Sequence, residues 1–155
     1  MPQPAHPAAI NGLTLAQAEI IADAALAKGH ALGLLPLCVV VLDAGGHVKV
    51  TKREDGASLM RPEIAMGKAF GALAMGFGTR ELARRAQAMP GFTNALSDLT
   101  GGRAVPAPGG VLVRDAAHAL LGAVGISGDA SAQDEECCVA GILAADLAPD
   151  TGDPA

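Results

Sequence analysis

The run GAVGISGDASAQDEECC, from Gly122 to Cys138, constrains the fold more than any other stretch of the chain. Ala123 to Ser127 continues from Leu120 and Leu121 as an apolar run long enough for an interior strand. Gly125 removes a side chain inside that run, which implies close approach by a helix, a backbone or a ligand. Gly128-Asp129 breaks the strand. Ser131 then offers an N-cap for a helix, with Asp134 three residues later in a capping-box pattern. Asp134, Glu135 and Glu136 crowd the first turn, where carboxylates suit the positive end of the helix dipole. Asp134 also heads a stripe with Cys138 and Ile142, and Glu135 lines up with Val139 and Ile142. A carboxylate at the head of an apolar stripe is partly desolvated, which raises its pKa. The stretch thus requires a buried strand feeding a helix, and it sets two carboxylates where a pocket at the strand's end can use them.

The flanking chain supplies partners for that strand. Leu37 to Leu42 is a continuous apolar run, read as an interior strand. Asp43-Ala44-Gly45-Gly46 is a turn. His47 to Arg53 alternates Val48 and Val50 against polar residues and pairs back as a half-exposed strand. Val111 to Asp115 is a further strand that turns at 116–119 into the run described above. Thr14 offers an N-cap for a helix to about Leu32, ended by Gly33. Arg61 to Met75 is a second helix, with Pro62 in its tolerant first turn. Its stripe of Met66, Phe70, Leu73 and Phe77 reads as the core face. Lys68 lies on the opposite side with Gly67, Gly71 and Ala72, either solvated beside a helix contact or holding an anion. Thr79 is the expected cap of a short helix to about Met89, which Pro90 breaks. A short turn or helix follows over 91–98. The loop at 100–110 is rich in Gly and Pro, with a short edge strand expected near Ala104-Val105. The last helix is expected over 132–147. These elements give one α+β domain, about five strands in an antiparallel sheet with helices on both faces. Its expected limits are 13–148, between a flexible arm at 1–12 and a flexible tail at 149–155.

Composition removes several classes of function. The net charge of −5, with three Phe and no Trp or Tyr, is wrong for a nucleic-acid binder, which needs a basic patch and stacking surfaces. No apolar run approaches the roughly 18 residues of a membrane span. The N-terminus lacks the basic and apolar regions of a signal peptide, so the expected compartment is the cytoplasm. Cys38, Cys137 and Cys138 are odd in number and lack a CxxC spacing, so neither a disulfide framework nor a metal site is indicated.

Four segments together carry a family resemblance: VVVLDAGGHV (39–48), RPEIAMGKAFGALAMG (61–76), PGGVLVRD (108–115) and GAVGISGDASAQDEECC (122–138). They resemble the GlcG/HbpS-like family, which includes the C-terminal domain of PduO-type corrinoid adenosyltransferases. The resemblance covers nearly all of residues 13–147. It implies a profilin-like α/β/α fold with a five-stranded antiparallel sheet, binding of haem, and compact homo-oligomers. PduO's adenosyltransferase chemistry belongs to its other domain.

Three functions follow as alternatives. The first is a small-ligand-binding protein for haem or a related tetrapyrrole. Its axial candidates are His30, His47 and His118, with Met66, Met75 and Cys38 behind them; His6 falls in the arm. The second is a cofactor-independent isomerase or lyase on a small organic acid. Lys68, Asp134 and Glu135 would carry the catalysis there, with Asp43, Arg61, Arg114 and Ser127 as ligand contacts. The third is a non-catalytic oligomeric partner protein, in which Gly67-x-x-x-Gly71 is a subunit contact. The pocket is expected at the turn end of the Leu120–Ser127 strand, between the second helix, the 100–110 loop and the start of the last helix.

Overall fold

The computed structural model describes residues 12–154. The expected arm at 1–12, apart from Gly12, and His6 lie outside them. In chain order the elements are α1 (Leu15–Ala31), β1 (Cys38–Asp43), β2 (Val48–Arg53), α2 (Arg61–Met75), α3 (Thr79–Ala88), α4 (Pro90–Leu99), β3 (Gly110–Arg114), β4 (Leu120–Ser127), α5 (Ser131–Ala144) and β5 (Ala148–Asp150). The five strands form one antiparallel sheet in the order β2-β1-β4-β3-β5. Both hairpins of the sequence reading are present, β1–β2 and β3–β4, and β4 joins them at the centre through β1. The fold is α+β with three layers.

Period-two alternation in β1 builds two cores at once. Val39 and Val41 face one side with Val111, Val113, Val124 and Ile126, covered by Ile21, Ala22 and Ala25 of α1 and Cys137, Cys138 and Ile142 of α5. Cys38, Val40 and Leu42 face the other side with Leu112 and Ala123, covered by Ala65, Ala69 and Ala72 of α2. α1 begins with the expected cap: Thr14 Oγ1 accepts from the Gln17 N–H at 3.1 Å, and Gln17 Oε1 accepts from the Thr14 N–H at 3.0 Å.

The packing face of α2 is opposite to the one its sequence suggests. Gly110 and Gly125 are cross-strand partners in β3 and β4. A Cβ on Gly125 would strike the Ala65 carbonyl and the Ala69 N–H, and a Cβ on Gly110 would strike the Lys68 carbonyl. The two glycines form a trough in which the α2 backbone sits, so its small face lies deepest against the sheet and Met66, Phe70 and Leu73 pack at the edge of that core. The bulkier stripe is left half-buried. Two of its aromatic rings are capped by guanidinium groups: Arg103 over Phe70 at 4.4 Å and Arg85 over Phe77 at 4.5 Å.

Other local expectations fail for identifiable reasons. Thr79 does not cap α3: Gly78 holds that position, while the Thr79 hydroxyl is buried against the sheet, donating to the Gly110 carbonyl and accepting from its N–H. Pro90 ends α3 but also opens α4, where its fixed φ suits the first turn. Ser131 does not cap α5 either. Ala130 is the N-cap, without a side-chain bond, and Asp134 turns back to accept from the Asp129 N–H at 3.1 Å. No strand forms at Ala104-Val105; the Val105 N–H donates to the Gly67 carbonyl and its own carbonyl accepts from the Ala107 N–H. The fifth strand is instead β5, inside the stretch read as the start of the tail. Its backbone pairs with β3, and Arg114 holds Asp150 at 3.0 Å.

Candidate functional site

Of the two carboxylates expected near Lys68, Asp134 meets it, but in a closed place. α2 and α5 approach the sheet from opposite faces near the end of β4. The long Lys68 side chain spans the gap left beside Gly109. Its Nζ donates to Asp134 Oδ2 and to the Ile126 carbonyl, each at 2.9 Å. Lys68 is 2% exposed and Asp134 1%. Burial pushes the Asp134 carboxyl above its ordinary range, against the pull of the Lys68 ammonium. Gly125 and Gly128, expected to clear space for a ligand, are filled by the α2 backbone and by Pro36 and Leu37.

Glu135 does not join this pair. Its Oε1 accepts from Arg80 Nε at 2.9 Å, while its Oε2 is buried with no hydrogen-bond partner among the described residues. Arg61 and Ser127 come together, Nη1 donating to Oγ at 3.1 Å. Arg114 is occupied by Asp150 and by the His118 carbonyl. The three thiols are free and buried. Burial pushes Cys38 and Cys137 up to about 11 and raises Cys138 as well, which keeps them protonated and inert.

Three cavities lie on the β2 side of the molecule. The largest of three, about 540 Å³, is an open groove between the end of α1 and the end of β2. Leu26, His30, Leu34 and Pro36 form one wall, and Lys52, Arg53, Glu54 and Asp55 the other. His30 Nε2 is bonded to Glu54 Oε1, and Glu54 Oε2 accepts from the Leu37 N–H at 2.7 Å. The carboxylate thereby fixes the imidazole at the rim. Lys52 pairs with Glu19 and Asp23. A second cavity, about 220 Å³, lies at the β1–β2 turn and is lined by Gly12, Leu13, Asp43, Ala44, Gly45, His47 and Lys49. A third, about 280 Å³, lies between α2 and the β1–β2 pair, lined by Val40, Thr51, Pro62, Glu63 and Met66. None of these three touches Lys68, Asp134 or Glu135. His118 stands in the β3–β4 turn at φ 64°, away from all three. Thus the histidines separate by place: His30 lines the groove, His47 the small cavity, and His118 neither. Lys52, Arg53 and Glu54 escaped the sequence reading because they look like an ordinary strand end. The one signal was four consecutive charged residues, Lys52 to Asp55, directly before a turn glycine.

Among the described residues no group of three His, Cys, Asp or Glu side chains is placed to hold a metal ion. No helix there is long and apolar enough to cross a membrane.

A five-stranded antiparallel sheet between α1/α5 and α2, with ligand-sized cavities at its β2 side, defines a three-layer α+β domain able to hold a small molecule. Residues 13–143 match the family described as haem degrading protein HbpS-like, and the chain belongs to that family. It is 32% identical, over 81% of its length and 86% of the relative's, to an uncharacterized 15.0 kDa protein from the dhaT-dhaS intergenic region of Citrobacter freundii. Its fold is similar to the crystal structure of a PduOC–haem complex, with a TM-score of 0.80 and 30% identity, covering 88% of this chain and 97% of that one. It is also similar to the crystal structure of HbpS, with a TM-score of 0.76 and 30% identity, covering 91% and 95%.

Proposed function

We propose that this protein binds haem or a related tetrapyrrole in the groove between α1 and β2. One observation carries the reading: the largest of the three cavities combines a carboxylate-held imidazole, two cations and an apolar wall. Its 540 Å³ falls within the roughly 300–1,000 Å³ of small-molecule sites. Leu26, Leu34 and Pro36 suit the face of a macrocycle, and Arg53 suits a propionate, while Lys52 would have to leave Glu19 and Asp23 to reach the other. Glu54 occupies Nε2 of His30 and leaves Nδ1 as the free ring nitrogen. This is the carboxylate–histidine arrangement that orients metal-binding imidazoles. When bound, haem would supply an iron centre; the chain's part is to hold and orient it. The alternative, isomerase or lyase chemistry on Lys68, Asp134 and Glu135, has less support, because none of the three cavities reaches those groups. The three free thiols support a reducing compartment, the cytoplasm.

The test is a haem titration followed by absorbance. The parent should show a Soret shift saturating at one haem per chain. His30→Ala should weaken binding by about tenfold or more, the effect expected at a metal ligand or its support, while His118→Ala should not. A flat titration of the parent removes the tetrapyrrole reading. Parent-like binding by His30→Ala moves the site out of this groove.

A further inference from the structure

The cavity at the β1–β2 turn is separate from the groove. It sits beside the start of α1, whereas His30 and Leu34 of the groove lie at that helix's other end. Its residues are built around one imidazole. Asp43 Oδ1 accepts from the N–H groups of Gly45 at 2.9 Å and His47 at 3.0 Å, and faces His47 Nδ1 at 3.5 Å. The ring lies over Gly45, where a Cβ would come within 3.0 Å of Nδ1 and 3.3 Å of Asp43 Oδ1. A larger residue at 45 would make the ring shift by a few tenths of an ångström. Burial alone would raise the Asp43 carboxyl, but the two N–H donors and the His47 ring hold it below its ordinary value, so it stays charged. With Nδ1 turned to Asp43, His47 Nε2 is left free. Lys49 stands on the same rim, and Leu13 and Ala44 give an apolar wall.

The geometry points to a binding site for a small monocarboxylate, held by His47 and Lys49 with Asp43 as the positioning residue. Size and charge select that class. A cavity of 220 Å³ holds roughly seven water-sized groups at about 30 Å³ each, too few for a tetrapyrrole. Among the described residues, the titratable groups that line it are Asp43, His47 and Lys49. Their charges sum to zero with a neutral imidazole and to +1 with a protonated one. A single carboxylate leaves the lined cavity at −1 or 0, whereas a doubly charged phosphate leaves it at −2 or −1 beside Asp43. Leu13 and Ala44 then cover a short aliphatic chain.

Butyrate is the probe, with sodium chloride at equal ionic strength and inorganic phosphate as comparisons. The readout is the NMR signals of the His47 ring and the Leu13 methyl groups in the full chain. Butyrate should move both saturably in the millimolar range. Lys49→Met should raise the half-saturation by about tenfold, the scale of one lost charge-assisted contact, and His47→Gln should abolish the Leu13 shift. Asp43→Asn should change the nitrogen signature of the His47 tautomer; an unchanged signature removes Asp43 from the site. Equal shifts with chloride, tighter binding of phosphate, or an unaltered Lys49→Met titration would overturn the proposal. It does not rest on the haem reading: His47→Gln should keep parental haem binding, and its loss would merge this cavity into that site.

Discussion

Lys68 and Asp134 are the residues whose chemistry changed most between sequence and structure. In the sequence they read as a cation and an acid over a pocket. In the fold they are an ion pair sealed between α2, β4 and α5. Such a pair loses hydration on burial and recovers it only through good geometry, here two bonds from Nζ at 2.9 Å. Removing one partner leaves the other charged and alone. Lys68→Met should therefore destabilise the fold by about 3–5 kcal/mol in urea unfolding, and Lys68→Met with Asp134→Leu by much less. The penalty should depend on pH. Burial already raises the Asp134 carboxyl from 3.8, and loss of the ammonium removes the main group opposing that rise. A carboxyl whose folded pKa lies above its unfolded value stabilises the fold below the unfolded value and loses that contribution as pH rises through the folded one. The Lys68→Met penalty should be smallest in mild acid and grow toward neutrality. A pH-independent penalty below about 1 kcal/mol, the worth of an exposed pair, would mean that solvent reaches the site.

At the scale of elements, alternation and turn chemistry were enough to read both hairpins and the extent of α2, because those signals are local. The packing face of α2 was not readable. It depends on Gly110 standing opposite Gly125, and a cross-strand pair exists only once the register is set. The α1–β2 groove was hidden for a similar reason: His30 and Glu54 are far apart in sequence and meet where α1 ends over β2. β5 was missed because three residues are too few to show a period. Yet the stretch is held at several points. β5 pairs with β3 over Leu112 to Arg114, Thr151 lies against Gly78, Arg84 donates to the Gly152 carbonyl, and Arg80 and Arg84 both approach Asp153. Deleting residues 148–155 should lower stability by about 2–4 kcal/mol, at roughly 1 kcal/mol for each ladder or side-chain bond lost. It would also bare the β3 edge to intermolecular pairing. Thermal melting of the truncated chain at several concentrations is the check. A parental midpoint without aggregation would mean the segment is the loose tail its composition suggested.

At the scale of the whole molecule, one helix lacks a core of its own. α4 packs only on α3 among the described elements, and just Thr93 of it is buried. Met89 at its cap is 49% exposed, and Phe92 and Leu99 on the helix are 50% and 86% exposed. Apolar side chains gathered on one poorly packed helix mark an interaction surface. A second copy of the chain suits it. Asp98 is the only charged residue in PGFTNALSDL, so a twofold pairing of α4 with α4 opposes no other like charges. We therefore expect a homo-oligomer built at least partly on this helix. Light scattering at micromolar concentration should give a multiple of the 15.4 kDa chain mass. Phe92→Asp should lower that mass while leaving the circular dichroism unchanged, because the residue contributes little to either sheet core. A monomer mass for the parent would refute the assembly. An oligomer that Phe92→Asp leaves intact would place its interface elsewhere, and the exposed face of α4 would then belong to a different partner.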